Sequence, residues 1–125
     1  MAKLQQSQLF GANSQVVTAP LSITASPESP ALVIYLSDLA GLNLNLGIPN
    51  HNGILAALLV KVSTFYDDPT NLNDENNNLV VSRNWEALFD RTTDSGVVKK
   101  LGVRYAVDCY EPFTGAQDIN PNNVY

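Results

Sequence analysis

The chain reads as mainly β: a small antiparallel sandwich, jelly roll or barrel with extended N- and C-terminal arms. Three observations predict this. From Leu101 to Tyr110, apolar and other residues alternate without a slip. That spacing puts Leu101, Val103, Tyr105, Val107 and Cys109 on one buried strand face, with Arg104 and Asp108 opposite. Other apolar runs recur at short intervals between Pro, Gly, Asn and Asp clusters, the spacing of an all-β domain. Finally, both ends are irregular and broken by prolines.

In chain order, residues 1–30 form an extended arm, 31–110 a β domain and 111–125 a C-terminal tail. The arm is rich in Gln and Ser, with Leu4, Leu9 and Phe10 as isolated apolar beads. Val16–Thr18 and Leu21–Thr24 are short strand candidates, and Pro20, Pro27 and Pro30 argue against helix. Ala31–Leu36 (ALVIYL) reads as a buried strand, followed by a turn at Ser37–Asp38. Leu42, Leu44 and Leu46 alternate with Asn43 and Asn45, a weaker strand because Asn disfavours the pleat. The cluster from Pro49 to Gly53 is a turn.

Ile54–Tyr66 reads as a long central strand. Its first half has the Leu and Ala that favour helix. Its second half is β-branched and aromatic, and Gly53 suits a hairpin. Residues 67–78 (DDPTNLNDENNN) are a polar loop, and Leu79–Val81 resumes a strand. Residues 85–91 read two ways: a short helix capped by Ser82 or Asn84, with Glu86 in its first turn, or a strand alternating Trp85, Ala87 and Phe89. Asp94–Gly96 is a turn leading into the alternating strand.

Composition narrows the function. A chain of 125 residues, 45% hydrophobic, is one domain with enough apolar mass for a core. Its net charge of −5, with only seven Lys and Arg, argues against a nucleic-acid partner and against an anionic membrane surface. Charged residues make up 15%, below the roughly one quarter of ordinary domains. Fourteen Asn residues help fill the gap. A surface of amides and hydroxyls is easier to desolvate against a partner than one of Lys and Glu. The longest apolar run, Ile54–Val60, is too short for a bilayer, and the N-terminal residues lack the apolar stretch of a secretory signal.

The chemistry-bearing residues are sparse. Cys109 is the lone cysteine and reads as a small apolar residue on the inward strand face, not a reactive thiol. His51, the only histidine, reads as an exposed turn residue, so a zinc site has no ligand set. Asn71-x-Asn73-x-Glu75 has the odd-position spacing of a calcium loop. It lacks the central Gly, and Ser82 stands where the bidentate Glu belongs, so a solvated loop is the simpler reading. No GxSxG, SxxK, GxxxxGK[ST] or GxGxxG motif occurs. Asp94, Asp108 and Glu111 are carboxylates without a recognisable pairing. Lys99, Lys100 and Arg104 form a small basic patch on the strand. Trp85, Phe89, Tyr105, Tyr110 and Phe113 suit a sugar-stacking surface, although core packing is the commoner use.

The expected function is structural. The residues predict no enzyme, cofactor or metal, but a subunit of a larger protein assembly, most in keeping with a virus or phage particle component. Small β-domains with extended arms resemble such subunits in general architecture: capsid cement or decoration proteins, or head–tail and tail connectors. No motif ties the chain to a named family. The expected partners are copies of itself or a major shell or tube protein, reached through Leu4, Leu9, Phe10, Val16 and Val17 of the arm and Phe113, Ile119 and Tyr125 of the tail. The expected location is the virion if the protein is viral, and otherwise the cytoplasm. The alternatives, in order, are a β-sandwich module binding carbohydrate or calcium, and a small enzyme with an unrecognised site.

Overall fold

The computed structural model describes residues 4–42, 44–47, 50–113, 115 and 118–125, those at 40–42 by backbone alone. The elements run α1 (Gln6–Phe10), a 3-10 helix (Leu36–Leu42), α2 (His51–Phe65), α3 (Pro69–Leu72), β1 (Leu79–Thr93), β2 (Gly96–Cys109) and a 3-10 turn (Pro121–Asn123). The chain divides within α2 into two compact units, residues 1–58 and 59–125.

The N-terminal unit is short of regular structure. One turn of helix, α1, forms ahead of the prolines, closed where the Gln5 N–H donates to Gln8 Oε1 at 2.8 Å. This corrects the helix-free arm: the prolines forbid helix from Pro20 onward, not before it. Pro27 and Glu28 sit in a tight turn that bonds Ser26 to Ser29 in both directions. The strands expected at Val16–Thr18, Leu21–Thr24 and Ala31–Leu36 do not form. They lack a neighbouring strand to complete a ladder, and the last run is exposed, Leu32 by 86% and Tyr35 by 73%. The alternation at Leu42–Leu46 lies partly outside the described residues. The unit's core is Leu39, Ile54 and Ala57, with Leu36, Leu44 and Leu58 packed against it.

The predicted central strand at residues 54–66 is helix α2. Two causes are visible. Asn50 caps it: its Oδ1 accepts from the Gly53 N–H at 2.8 Å and its carbonyl from the Ile54 N–H at 2.9 Å. The apolar residues also follow helical spacing, with Ile54, Ala57 and Leu58 in one core and Leu59, Val62 and Tyr66 in the other. Helical neighbours thus outweigh the β-branched preference of Val60 and Val62. His51 opens this helix instead of sitting in a turn.

The C-terminal unit holds the single sheet found among the described residues, the antiparallel pair β1–β2. Strand replaces the alternative helix at residues 85–91. Two loop residues, Asp94 and Ser95, join the strands, and Gly96 takes the positive φ of 105° that closes the turn. The pairing runs from Thr93↔Gly96 to Leu79↔Cys109, with one irregularity between Arg83 and Trp85 where Asn84 is the extra residue of a bulge. The antiparallel sheet predicted from Leu101–Tyr110 is therefore present. It has two strands, and helix covers about as much of the chain as strand, so mainly β overstates it. A sandwich or jelly roll needs a second sheet and a barrel a closed one, and the described residues contain neither.

The core of this unit is Tyr66, Val80 and Val81, flanked by Leu59, Val62 and Tyr105. Successive strand residues point to opposite faces, so burial of both Val80 and Val81 means the hairpin is covered on both sides at this end. The Tyr66 hydroxyl donates to the Leu79 carbonyl, fastening the end of α2 to the start of β1. The loop between them is closed by its own polar groups. Asp68 caps α3 by accepting from the Thr70 N–H at 2.9 Å, and the Asn71 amide donates to the Phe65 carbonyl at 2.9 Å.

Candidate functional site

Beyond Val80 and Val81 the hairpin loses its cover, and its register assigns each face. After the bulge, one face carries Leu88 opposite Leu101, with Asp90 opposite Lys99 and Glu86 opposite Val103. Leu88 is 68% exposed and Leu101 63%. Two ion pairs frame these leucines: Lys99 to Asp90 at 3.0 Å across the strands, and Arg83 to Glu86 along β1. Both pairs are solvent-exposed, so they add little stability.

The other face is aromatic. Trp85 and Phe89 stand two positions apart on it, their rings 5.6 Å between centroids. Arg104, directly opposite Trp85, lies 4.5 Å over its ring. The Phe89 ring lies over Gly102, close enough that a Cβ there would approach it to 2.8 Å. This explains a glycine in the middle of a strand: it makes room for a diagonal aromatic neighbour. The bulge at Asn84 creates this face by switching the alternation, so Trp85 and Phe89 join the side that carries Val80 and Ser82. Expected as the polar side of a half-buried strand, Lys100 and Arg104 instead share a face with exposed aromatics.

Both strands are also sheet edges. Among the described residues, β2 has no hydrogen-bonded neighbour other than β1.

The two ends carry the other predicted contact residues. Leu4, Phe10, Val16 and Val17 are exposed and Leu9 is half-buried. The Leu4 carbonyl accepts from His51 Nε2 at 2.6 Å, and Gln6 Nε2 donates to the Ser14 carbonyl at 2.8 Å. At the other end Phe113 and Tyr125 are 92% and 88% exposed, and Ile119 is exposed as well. Polar contacts hold this tail. Glu111 Oε2 accepts from the Asn120 N–H and from Asn123 Nδ2, and Asn78 Nδ2 donates to the Tyr125 carbonyl at 2.6 Å. Each end is thus tied by polar groups, while these apolar side chains, Leu9 aside, are exposed.

Cys109 is exposed at the end of β2, not inward as the alternation suggested: the core on its face reaches Val81 and Tyr105 but not the strand's last residue. No group of three or more His, Cys, Asp or Glu able to hold a metal ion occurs among the described residues. In the loop, the Asp74 carboxylate accepts from the Asn76 backbone and side chain. No described helix is long and apolar enough to cross a membrane.

A shallow cleft of about 480 Å³ lies beside this loop. Phe65, Tyr66 and Tyr125 line it together with Lys61 and Asn76–Asn78. Sequence reasoning pointed to other aromatics, because it set Phe65 and Tyr66 on a strand. No family model, curated protein or solved structure matches this chain.

Proposed function

We propose that the chain is a structural subunit of a larger protein assembly, of the kind that builds virus or phage particles, as a capsid cement or decoration protein or a head–tail or tail connector. The observation that carries this is the hairpin. Strands of 15 and 14 residues expose leucines on one face and aromatics on the other, and only their base has a core. A lone two-stranded ribbon is marginal in water, and contiguous exposed apolar surface marks an interaction site. The outward-facing apolar residues of both ends support the same reading. In the assembly, strands from neighbouring subunits would lie on the hairpin and complete the sandwich or barrel that the described residues of one chain do not form.

Sedimentation velocity and limited proteolysis test this. The expected result is concentration-dependent association, with first cleavages in residues 11–35 and 112–125. A monomer at every concentration, uncut at both ends and unable to bind any particle, overturns it. The genes beside its own give a second test, with capsid, portal or tail genes as the supporting outcome.

The cleft favours a second reading, a ligand-binding module. Aromatic residues beside amides suit a sugar, with calcium the other ligand to try. A bound ligand raises the melting temperature by mass action. A glycan panel and a calcium titration should then show a stabiliser, and the absence of any shift removes this reading.

A further inference from the structure

We propose that β2 pairs antiparallel with β2 of a second copy, across a two-fold axis at Ala106, to make one four-stranded sheet. The inference rests on the assembly-subunit reading and names its partner. Proteins protect sheet edges with bulges, prolines and charges. β1 carries the bulge at Asn84, whereas β2 pairs regularly along its whole length and holds no proline. Its segment Leu101–Cys109 is the edge without bulge or proline, and its two charges, Arg104 and Asp108, are of opposite sign, so they can pair with a second copy instead of repelling it.

The register follows from hydrogen bonding and charge. The Tyr110 N–H donates to the Asn78 carbonyl at 2.8 Å, so even-numbered residues of β2 bond toward β1. Odd-numbered residues therefore turn their backbone groups outward, free to bond a neighbour. Centring the pairing on Ala106 sets Tyr105 opposite Val107 and Val103 opposite Cys109, all with outward backbone groups. It also sets Arg104 opposite Asp108 twice, once on each side of the axis. These fall in non-hydrogen-bonded pairs, where opposed side chains stand closest.

Neither residue has an ion-pair partner among the described residues. Moving the axis to Arg104 would stack two arginines, and moving it to Gly102 would set Lys100 against Arg104. The axis at Ala106 satisfies both charges. It also lifts the sheet from two strands to four, past the size at which sheets become stable on their own.

Cysteine linking and charge exchange test the pairing in the full chain. At the axis the two Ala106 Cα atoms would stand about 4.5 Å apart, within disulfide range. In a Cys109→Ser background, Ala106→Cys should form a linked dimer on copper–phenanthroline oxidation, and Val98→Cys should not. Arg104→Asp or Asp108→Arg alone should weaken self-association roughly tenfold or more. The double exchange should restore it, which a merely structural role would not produce. This second measurement stands even if the cysteine variant fails to fold. Equal linking at positions 98 and 106, or no rescue by the double exchange, overturns the pairing. If the chain still self-associates in that case, the pairing alone has failed and the subunit reading stands. A chain that is monomeric throughout overturns the pairing, and particle binding then decides the subunit reading.

Discussion

Replacing Tyr66 with alanine is expected to unfold most of the C-terminal unit near physiological temperature. Tyr66 is 8% exposed, and with Val80 and Val81 it makes up the buried core there. Its ring meets Phe65 edge-on at a centroid distance of 4.9 Å. Truncating a buried aromatic costs about 3–5 kcal/mol. Small domains hold only about 5–15 kcal/mol in total. The melting temperature should therefore fall by roughly 15–30 °C for a unit of this size. Tyr66→Phe separates the ring from the hydroxyl. It keeps the packing and removes the donor to the Leu79 carbonyl, a loss of about 1 kcal/mol. Circular dichroism melts of both variants check the difference. A loss below about 1 kcal/mol for the alanine variant would place the stabilising contacts of this unit elsewhere.

The same residue shows why the sequence was only partly legible. A period of two, as in Leu101–Tyr110, needs no knowledge of neighbours, and the Asp94–Gly96 turn is equally local, so both could be read directly. β1 was readable only in fragments, because Asn84 shifts its alternation by one residue and splits a 15-residue strand into two short patterns. Helix α2 is hard to read from sequence because Val60, Val62 and Thr64 favour strand locally. The deciding facts were an Asn50 cap three residues before Gly53 and two separate cores on its flanks. Residues 31–35 show the reverse case. Their β-propensity is strong, yet propensity supplies no partner strand, and the run remains unpaired and exposed. The hairpin site was the least legible part. Alternation implies a covered face, and only the register and exposure show that the cover is missing.

Changing Leu88 and Leu101 together to lysine is expected to abolish assembly while leaving the isolated chain folded. The two leucines oppose each other across the hairpin, and about two-thirds of each is still in solvent. Fully burying a leucine side chain is worth about 1.5–3 kcal/mol, so covering the remainder of this pair contributes roughly 2–4 kcal/mol to association. Removing that and setting two ammonium groups in the interface should weaken self-association by about 100-fold or more. Stability of the single chain should change little, because substitutions at exposed sites usually move it by about 0.5 kcal/mol or less. Lys99 and Arg83 already stand on this face, so added cations oppose each other in the free chain; a Leu88→Thr, Leu101→Thr variant keeps strand propensity and charge and isolates the apolar contribution. Sedimentation velocity across a concentration series, read beside a melting curve, separates the two effects. Lost association with an unchanged melt identifies the leucine face as an intersubunit contact. A lowered melt with association intact would mean that the pair stabilises its own chain, and the hairpin would then cease to support the subunit reading.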